Sequence, residues 1–328
     1  MGKELAKQKM EDADEQVPVQ DEWGPTISHN KALFEFGDVF FYTVMLTLIF
    51  GSLHVYGERV WEHIVTTYSK EAVFFGGSFI VSMGGFWFWV SLTAVLDLYQ
   101  FPKSFWRYKI QPQKVPDWSW YRKALSNVLM NQFFVNIPVG YGLYHLMQWR
   151  GNSMGMDLPT ILDLARDSIG FLIVEELGFY YGHRLLHHPK IYKYIHKKHH
   201  EFTAPIGIAA IYAHPVEHFI ANVAPLVLGP VLMKSHVITL WIWITIGQTN
   251  AINSHCGFHL PLFPSPLAHD YHHEVFHVNF GPVGVLDWLH GTGGSREKTA
   301  EKKRLREQQA AEKKRQQLAE QGKADKVN

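Results

Sequence analysis

The sequence predicts an all-α integral membrane protein, with about four transmembrane helices followed by a helical, histidine-rich domain. Three observations predict it. Apolar residues fall in blocks of membrane-crossing length, although the mean hydropathy of the 328-residue chain is only −0.11. The intervening loops differ in charge. Twenty histidines are present, most of them in the second half.

Residues 1–30 are polar and charged, with no apolar stretch behind the first basic residues, so they read as a solvated tail rather than a cleaved signal. The next blocks, 38–56, 73–99, 125–147 and 161–181, are each long enough to cross a hydrocarbon core of ~30 Å. Glycine and proline within them (Gly84, Gly85, Pro138) are tolerated in membrane helices. The fourth block is the least apolar, carrying Arg166, Asp167, Glu175 and Glu176. Aromatic pairs such as Trp118 and Trp120 cluster near block ends, as at membrane interfaces.

The loop 102–123 carries Lys103, Arg107, Lys109, Lys114, Arg122 and Lys123 against the single acid Asp117. The other two connections are poor in lysine and arginine, so the positive-inside rule places the basic loop in the cytosol. Four spans then place both termini and the histidine-rich half there as well. Two shorter runs, 219–233 and 237–252, are expected to be buried or re-entrant helices of a cytosolic domain spanning 183–292. Residues 293–328 form a charged tail. A net charge of +1 gives no ground for nucleic-acid binding, and the single cysteine excludes an intramolecular disulfide.

The histidines recur at helical spacing. His183 and His187 are four apart, as are His255 and His259; His196, His199 and His200 repeat the three-and-four pattern of His269, His272 and His273. Residues three and four apart share a helix face, so each group can direct its nitrogens toward one point. Ten imidazoles exceed what one metal ion uses but suit two ions with about five nitrogens each. Zinc sites normally take three or four protein ligands, and imidazole also serves iron, copper and nickel. A membrane scaffold beside a metal pair suits dioxygen activation on a lipid, which needs a redox-active metal; two iron ions are expected, with zinc able to replace them in a purified sample. Isolated histidines (His29, His54, His63, His145, His236, His277) read as ordinary core or surface residues. Glu176, His188, His214 and His218 are candidates for supporting the ligands, because ligating histidines donate their other N–H to a nearby acceptor.

The runs HRLLHH, IHKKHHE, YAHPVEH, SHCGFH and HDYHH together resemble the fatty acid hydroxylase superfamily of membrane di-iron enzymes. The first three look most like its methylsterol monooxygenase branch. The resemblance implies metal ligation by His183, His187, His196, His199, His200, His255, His259, His269, His272 and His273. It also implies an endoplasmic reticulum enzyme that oxidises a carbon-4 methyl of a sterol precursor with dioxygen. Electrons would come from NAD(P)H through a cytochrome b5-type carrier and its reductase, as separate chains. Hydroxylation of a fatty acyl or sphingolipid chain is the alternative activity. A catalytically inactive, sterol-binding relative would be expected to have lost ligands, whereas all ten positions here are histidine.

Overall fold

In the computed structural model, residues 36–309 are described. The expected tail at 1–30, with His29, and the tail beyond residue 309 lie outside them. Among the described residues the structure is helical, with a single antiparallel bridge between Lys109 and Phe258.

Among the described residues, the helices that frame the histidine-rich region are α1 (Gly37–Thr67), α2 (Lys70–Tyr99), α3 (118–150), α4 (Ile161–Leu186), α5 (Pro215–Leu232), α6 (Val237–His255), α7 (Leu267–Val275) and α8 (Val285–His290). Their starts follow local chemistry. Ser69 accepts from Ala72 N, Asp117 accepts from Ser119 N and Trp120 N, and Thr160 with Asp163 forms a reciprocal capping box. Four of the long elements are interrupted or opened by π-turns, in α1, α2, α3 and α5. Two of these turns lie just before Pro138 and Pro225, whose missing N–H frees a carbonyl one turn back. In α2 the side chain of Gln248 supplies a donor instead, at 2.8 Å from Val81 O.

Among the described residues three helices are long and apolar enough to cross a membrane: α1, α2 and α5. The first two are expected spans. The third contains the run 219–233, expected as a short buried or re-entrant helix; it begins earlier, at Pro215, and continues through Pro225, Gly229 and Pro230. It survives those residues because α4 lies along it. A Cβ on Gly229 would meet the Phe171 Cα at 2.9 Å, so the two backbones approach too closely for any side chain there. The expected spans 125–147 and 161–181 are also helical, in α3 and α4, but are less apolar than the other three.

One core joins α2, α3 and α6 to the segment 202–212, through Phe86, Val90, Ala124, Val128, Ile206, Ile208 and Ile252. This packing sets the histidine-bearing turns on the ends of the long helices. The basic loop is fixed by a buried ion pair, Lys109 Nζ to Asp97 Oδ1 at 2.6 Å, with Tyr121 OH donating to the other Asp97 oxygen at 2.9 Å. Two residues on, Gln111 Nε2 donates to Asp270 Oδ1 and to Thr203 O, each at 2.9 Å. The loop thus ties the membrane helix α2 to the two strongest histidine motifs.

Candidate metal centre

His183 and His187 occupy the last turn of α4 and the residue closing it. His196, His199 and His200 lie on a 3-10 turn (His196–Glu201). His255 ends α6, and His269, His272 and His273 share α7. The structure gathers nine of these side chains into two sets. His183, His187, His196, His200 and His272 form a five-nitrogen set; His199, His255, His269 and His273 form a four-nitrogen set.

The boxes do not each point at one place, as their spacing alone suggests. Each His-x-x-His-His box divides. His196 and His200 join the five-nitrogen set while His199 joins the other; His269 and His273 join the four-nitrogen set while His272 crosses to the first. Adjacent residues on a helix point about 100° apart, so the pairs 199/200 and 272/273 straddle the two sets. The sets lie side by side, with the His200 and His273 ring centroids 4.6 Å apart.

Ring orientation is set by the outer nitrogens. Nδ1 of His183 lies 2.8 Å from Phe280 O, that of His272 2.6 Å from Val278 O, and that of His199 3.1 Å from Tyr212 O. His255 and His273 make the same bond to Ala251 O at 2.7 Å and Phe202 O at 3.2 Å. His196 Nδ1 is 2.8 Å from the carboxylate of Glu217. A carbonyl only accepts, so in His183, His199, His255, His272 and His273 Nδ1 carries the proton and Nε2 presents a bare lone pair inward.

Those inner nitrogens crowd together. In the five-nitrogen set, His187 Nε2 lies 2.9 Å from that of His196 and 3.2 Å from those of His200 and His272; His183 and His196 are 3.1 Å apart. In the other set, His269 Nε2 is 3.0 Å from His255 and 3.1 Å from His273, and His255 is 3.3 Å from His199. Metal–nitrogen bonds of about 2.0–2.1 Å place neighbouring ligand nitrogens about 2.9–3.4 Å apart at right-angled to tetrahedral angles. Lone pairs converging at such distances repel unless a cation lies between them. The donor sets therefore fit two imidazole-bound metal ions.

Electrostatics agree. Burial holds His183 and His199 down to about 4 and His255 to about 3. His200, His269, His272 and His273 are likewise held well below the ordinary imidazole range, by burial and by one another. Neutral imidazole is the form that ligates.

The remaining candidates take other places. His259 is buried, but its nitrogens belong to neither set. Glu176 accepts from Val283 N and Leu286 N at 3.0 and 2.8 Å; it shapes the turn whose Phe280 carbonyl meets His183, and so lies one step removed from the nitrogen sets. His188 and His214 cap short helical turns at Lys190 N and Val216 N. His218 is buried against Asn136 Oδ1 at 2.8 Å and belongs to neither set.

Two supports escape sequence reasoning. Glu217 lies against His196, 2.8 Å from its Nδ1, and its only signal is its place between His214 and His218 in YAHPVEH. Asn127 and Asn131, four apart on α3, clamp the chain on either side of Tyr212. Asn131 Nδ2 donates to Ile211 O and Ala213 O at 3.0 Å, and Ala213 N donates to Asn127 Oδ1 at 2.9 Å. The clamp aims the Tyr212 carbonyl at His199. Asn131→Leu is expected to weaken metal affinity of the four-nitrogen set by about 10–100-fold, the usual effect of losing an orienting partner. The five-nitrogen set should be unchanged, and chelator competition separates the two.

A membrane-embedded helical scaffold that presents two buried polyhistidine sets defines the class of membrane histidine-box proteins. The comparisons specify the family. The fatty acid hydroxylase family model matches residues 168–292, which contain all ten histidines of the boxes. The chain is 41% identical over 251 residues to fatty acid hydroxylase domain-containing protein 2 of Macaca fascicularis and of Homo sapiens, covering 75% of each chain. It is 36% identical over 228 residues to methylsterol monooxygenase 1 of Rattus norvegicus, covering 68% of this chain and 76% of the relative. No solved structure matches. The chain belongs to the fatty acid hydroxylase family.

Proposed function

We propose that this protein is a lipid hydroxylase that holds two iron ions and uses dioxygen to oxidise a carbon-4 methyl of a sterol precursor. The observation that carries the reading is the convergence of bare Nε2 lone pairs in two adjacent buried sets. The five-nitrogen set would hold one ion and the four-nitrogen set the other; the smaller set leaves more coordination positions for an exogenous ligand. Iron bound there supplies the redox chemistry by which one atom of dioxygen enters a C–H bond and the other leaves as water, with two electrons and two protons consumed.

The chain's own residues perform the rest. Carbonyls of Phe280, Val278, Tyr212, Phe202 and Ala251 keep the Nδ1 protons on the outside of the site. Seven of the nine rings are buried, which excludes bulk water from the reacting centre. The bilayer delivers the lipid to the ends of the membrane helices. In this reading the protein resides in the endoplasmic reticulum membrane, with both termini and the 183–292 domain cytosolic. A cytochrome b5-type carrier and its reductase supply electrons from NAD(P)H.

The methylsterol substrate draws on the similarity to methylsterol monooxygenase 1. The higher identity to fatty acid hydroxylase domain-containing protein 2 favours a second reading, hydroxylation of a fatty acyl or sphingolipid chain. Lipid extracts of cells with and without the protein separate them. Accumulation of carbon-4 methylated sterols on deletion is expected; loss of hydroxyacyl lipids with unchanged sterols would replace the first reading by the second.

A further inference from the structure

The short helix α8 has two unlike sides. Its inward residues, Leu286 and Asp287, are buried: Leu286 packs with Tyr180 and Phe280, while Asp287 accepts from Phe280 N and Gly281 N at 2.9 and 2.7 Å. Its outward residues are apolar and exposed, with Trp288 at 82%, Leu289 at 63% and Val285 at 57%. An indole left this open to water is unfavourable, since burying a large aromatic side chain is worth several times a single methylene.

The patch is not isolated. On α4 the residues Ile169, Ile173, Leu177, Tyr181 and Leu185, at four-residue spacing, are all exposed. This stripe runs the length of the helix that packs along the membrane-capable α5, and its last turns reach α8. The contact is specific: the His290 ring stacks on Tyr180 at 5.3 Å and accepts or donates at Tyr181 OH, 3.0 Å away. The exposed apolar stripe of α4 therefore reaches α8 at the Tyr181–His290 contact. Tryptophan at the end of such a surface favours the headgroup boundary, where a ring can be half apolar and half wet.

We propose that α8 is an interfacial anchor whose Val285–Trp288–Leu289 face lies in the headgroup boundary of the bilayer. Its occupant is the phospholipid surface itself. The anchor bears on the metal centre, because the Asp287 carboxylate on its inner side holds the turn whose Phe280 carbonyl orients His183. Membrane contact at α8 thus fixes the depth of the five-nitrogen set at the lipid surface. The inference rests on the membrane scaffold and not on the activity.

The test is accessibility of nitroxide labels in phosphatidylcholine nanodiscs. The one native cysteine, Cys256, is 2% exposed, so an introduced thiol labels selectively. Trp288→Cys and Leu289→Cys are compared with Leu177→Cys on the α4 stripe and Lys302→Cys in the charged segment. At 288 and 289 collisions with oxygen should exceed those with a water-soluble nickel chelate, as at 177 and opposite to 302. Chelate-dominated collisions at 288 matching those at 302 would overturn the proposal. So would strong spin–spin coupling between two copies with neither reagent admitted, which would make the face a contact between chains. The native side chain gives a second readout. Brominated lipid should quench wild-type fluorescence more than that of Trp288→Phe, and equal quenching in the two proteins counts against the anchor.

Discussion

Replacing His273 by alanine is expected to lower bound iron from two ions per chain to one and to reduce hydroxylated product at least about 100-fold, the scale on which even supporting residues act. Its Nε2 is one of four in the smaller set, 3.1 Å from that of His269. Three nitrogens remain after the change. The neighbouring variant His272→Ala should behave differently. It removes one of five nitrogens, 3.2 Å from both His187 and His200, and four histidines still surround that point. Two ions should therefore remain bound, one of them more weakly, while product falls to a similar degree because the ion's surroundings have changed. Metal analysis of the two variants beside a product assay reads the division of the box directly. Both positions are fully buried, and truncating a buried ring costs about 2–5 kcal/mol by its cavity alone. Thermal unfolding of each variant is thus part of the measurement: equal losses of stability with unequal metal content isolate coordination from folding. Equal metal content in the two variants would contradict the division.

The histidines were legible because their spacing is a one-dimensional pattern that a helix turns into a face. Four groups at three- and four-residue intervals point to a candidate metal centre without tertiary information, and the structure brings nine of the ten side chains into two sets. What spacing does not carry is how two faces share their residues. The turn at His196–Glu201 is 3-10, in which residues three apart eclipse, yet it divides as the α-helical box of α7 does: His196 and His200 share one set and His199 joins the other. The supports were less visible still. Glu176 sits seven residues before His183 and on its face, yet its carboxylate is taken by the amides of Val283 and Leu286. Glu217, which does reach His196 of the five-nitrogen set, lies in a motif whose histidines draw attention first. Asn127 and Asn131 carry no sequence signal, since an asparagine on a long helix acquires meaning only when a loop eighty residues later arrives beside it. The spans divide in the same way. The long apolar runs of α1 and α2 declare themselves, whereas Pro225 and Pro230 argue locally against α5 and are outweighed by its close packing on α4.

Acidification should unfold the metal-free protein over a narrow range, roughly between pH 6.5 and pH 4. The sign follows from the buried histidines. The pKa of His183 and His199 falls from 6.5 to about 4 in the folded chain, and that of His255 to about 3. Above pH 6.5 these rings are neutral in both states and their contribution to stability is fully present. Below it the unfolded chain binds protons that the folded chain refuses, so stability falls with pH until the folded values are reached. Each proton so taken up costs about 1.4 kcal/mol per pH unit. Three such histidines together cost about 4 kcal/mol per unit, so two units remove about 8 kcal/mol, comparable with the roughly 5–15 kcal/mol of a whole domain. Bound metal adds to the same trend, because protons compete with the ion for Nε2. The expected result is a steep drop in melting temperature of chelator-treated protein between pH 7 and pH 5, followed by circular dichroism. The loaded protein should hold to lower pH and then lose metal and structure together. A melting temperature that stays level across that interval would mean the histidines take up no protons on unfolding. The closely packed rings would then already be charged or open to water in the folded state, and the neutral, inward-facing donor sets would be excluded with them.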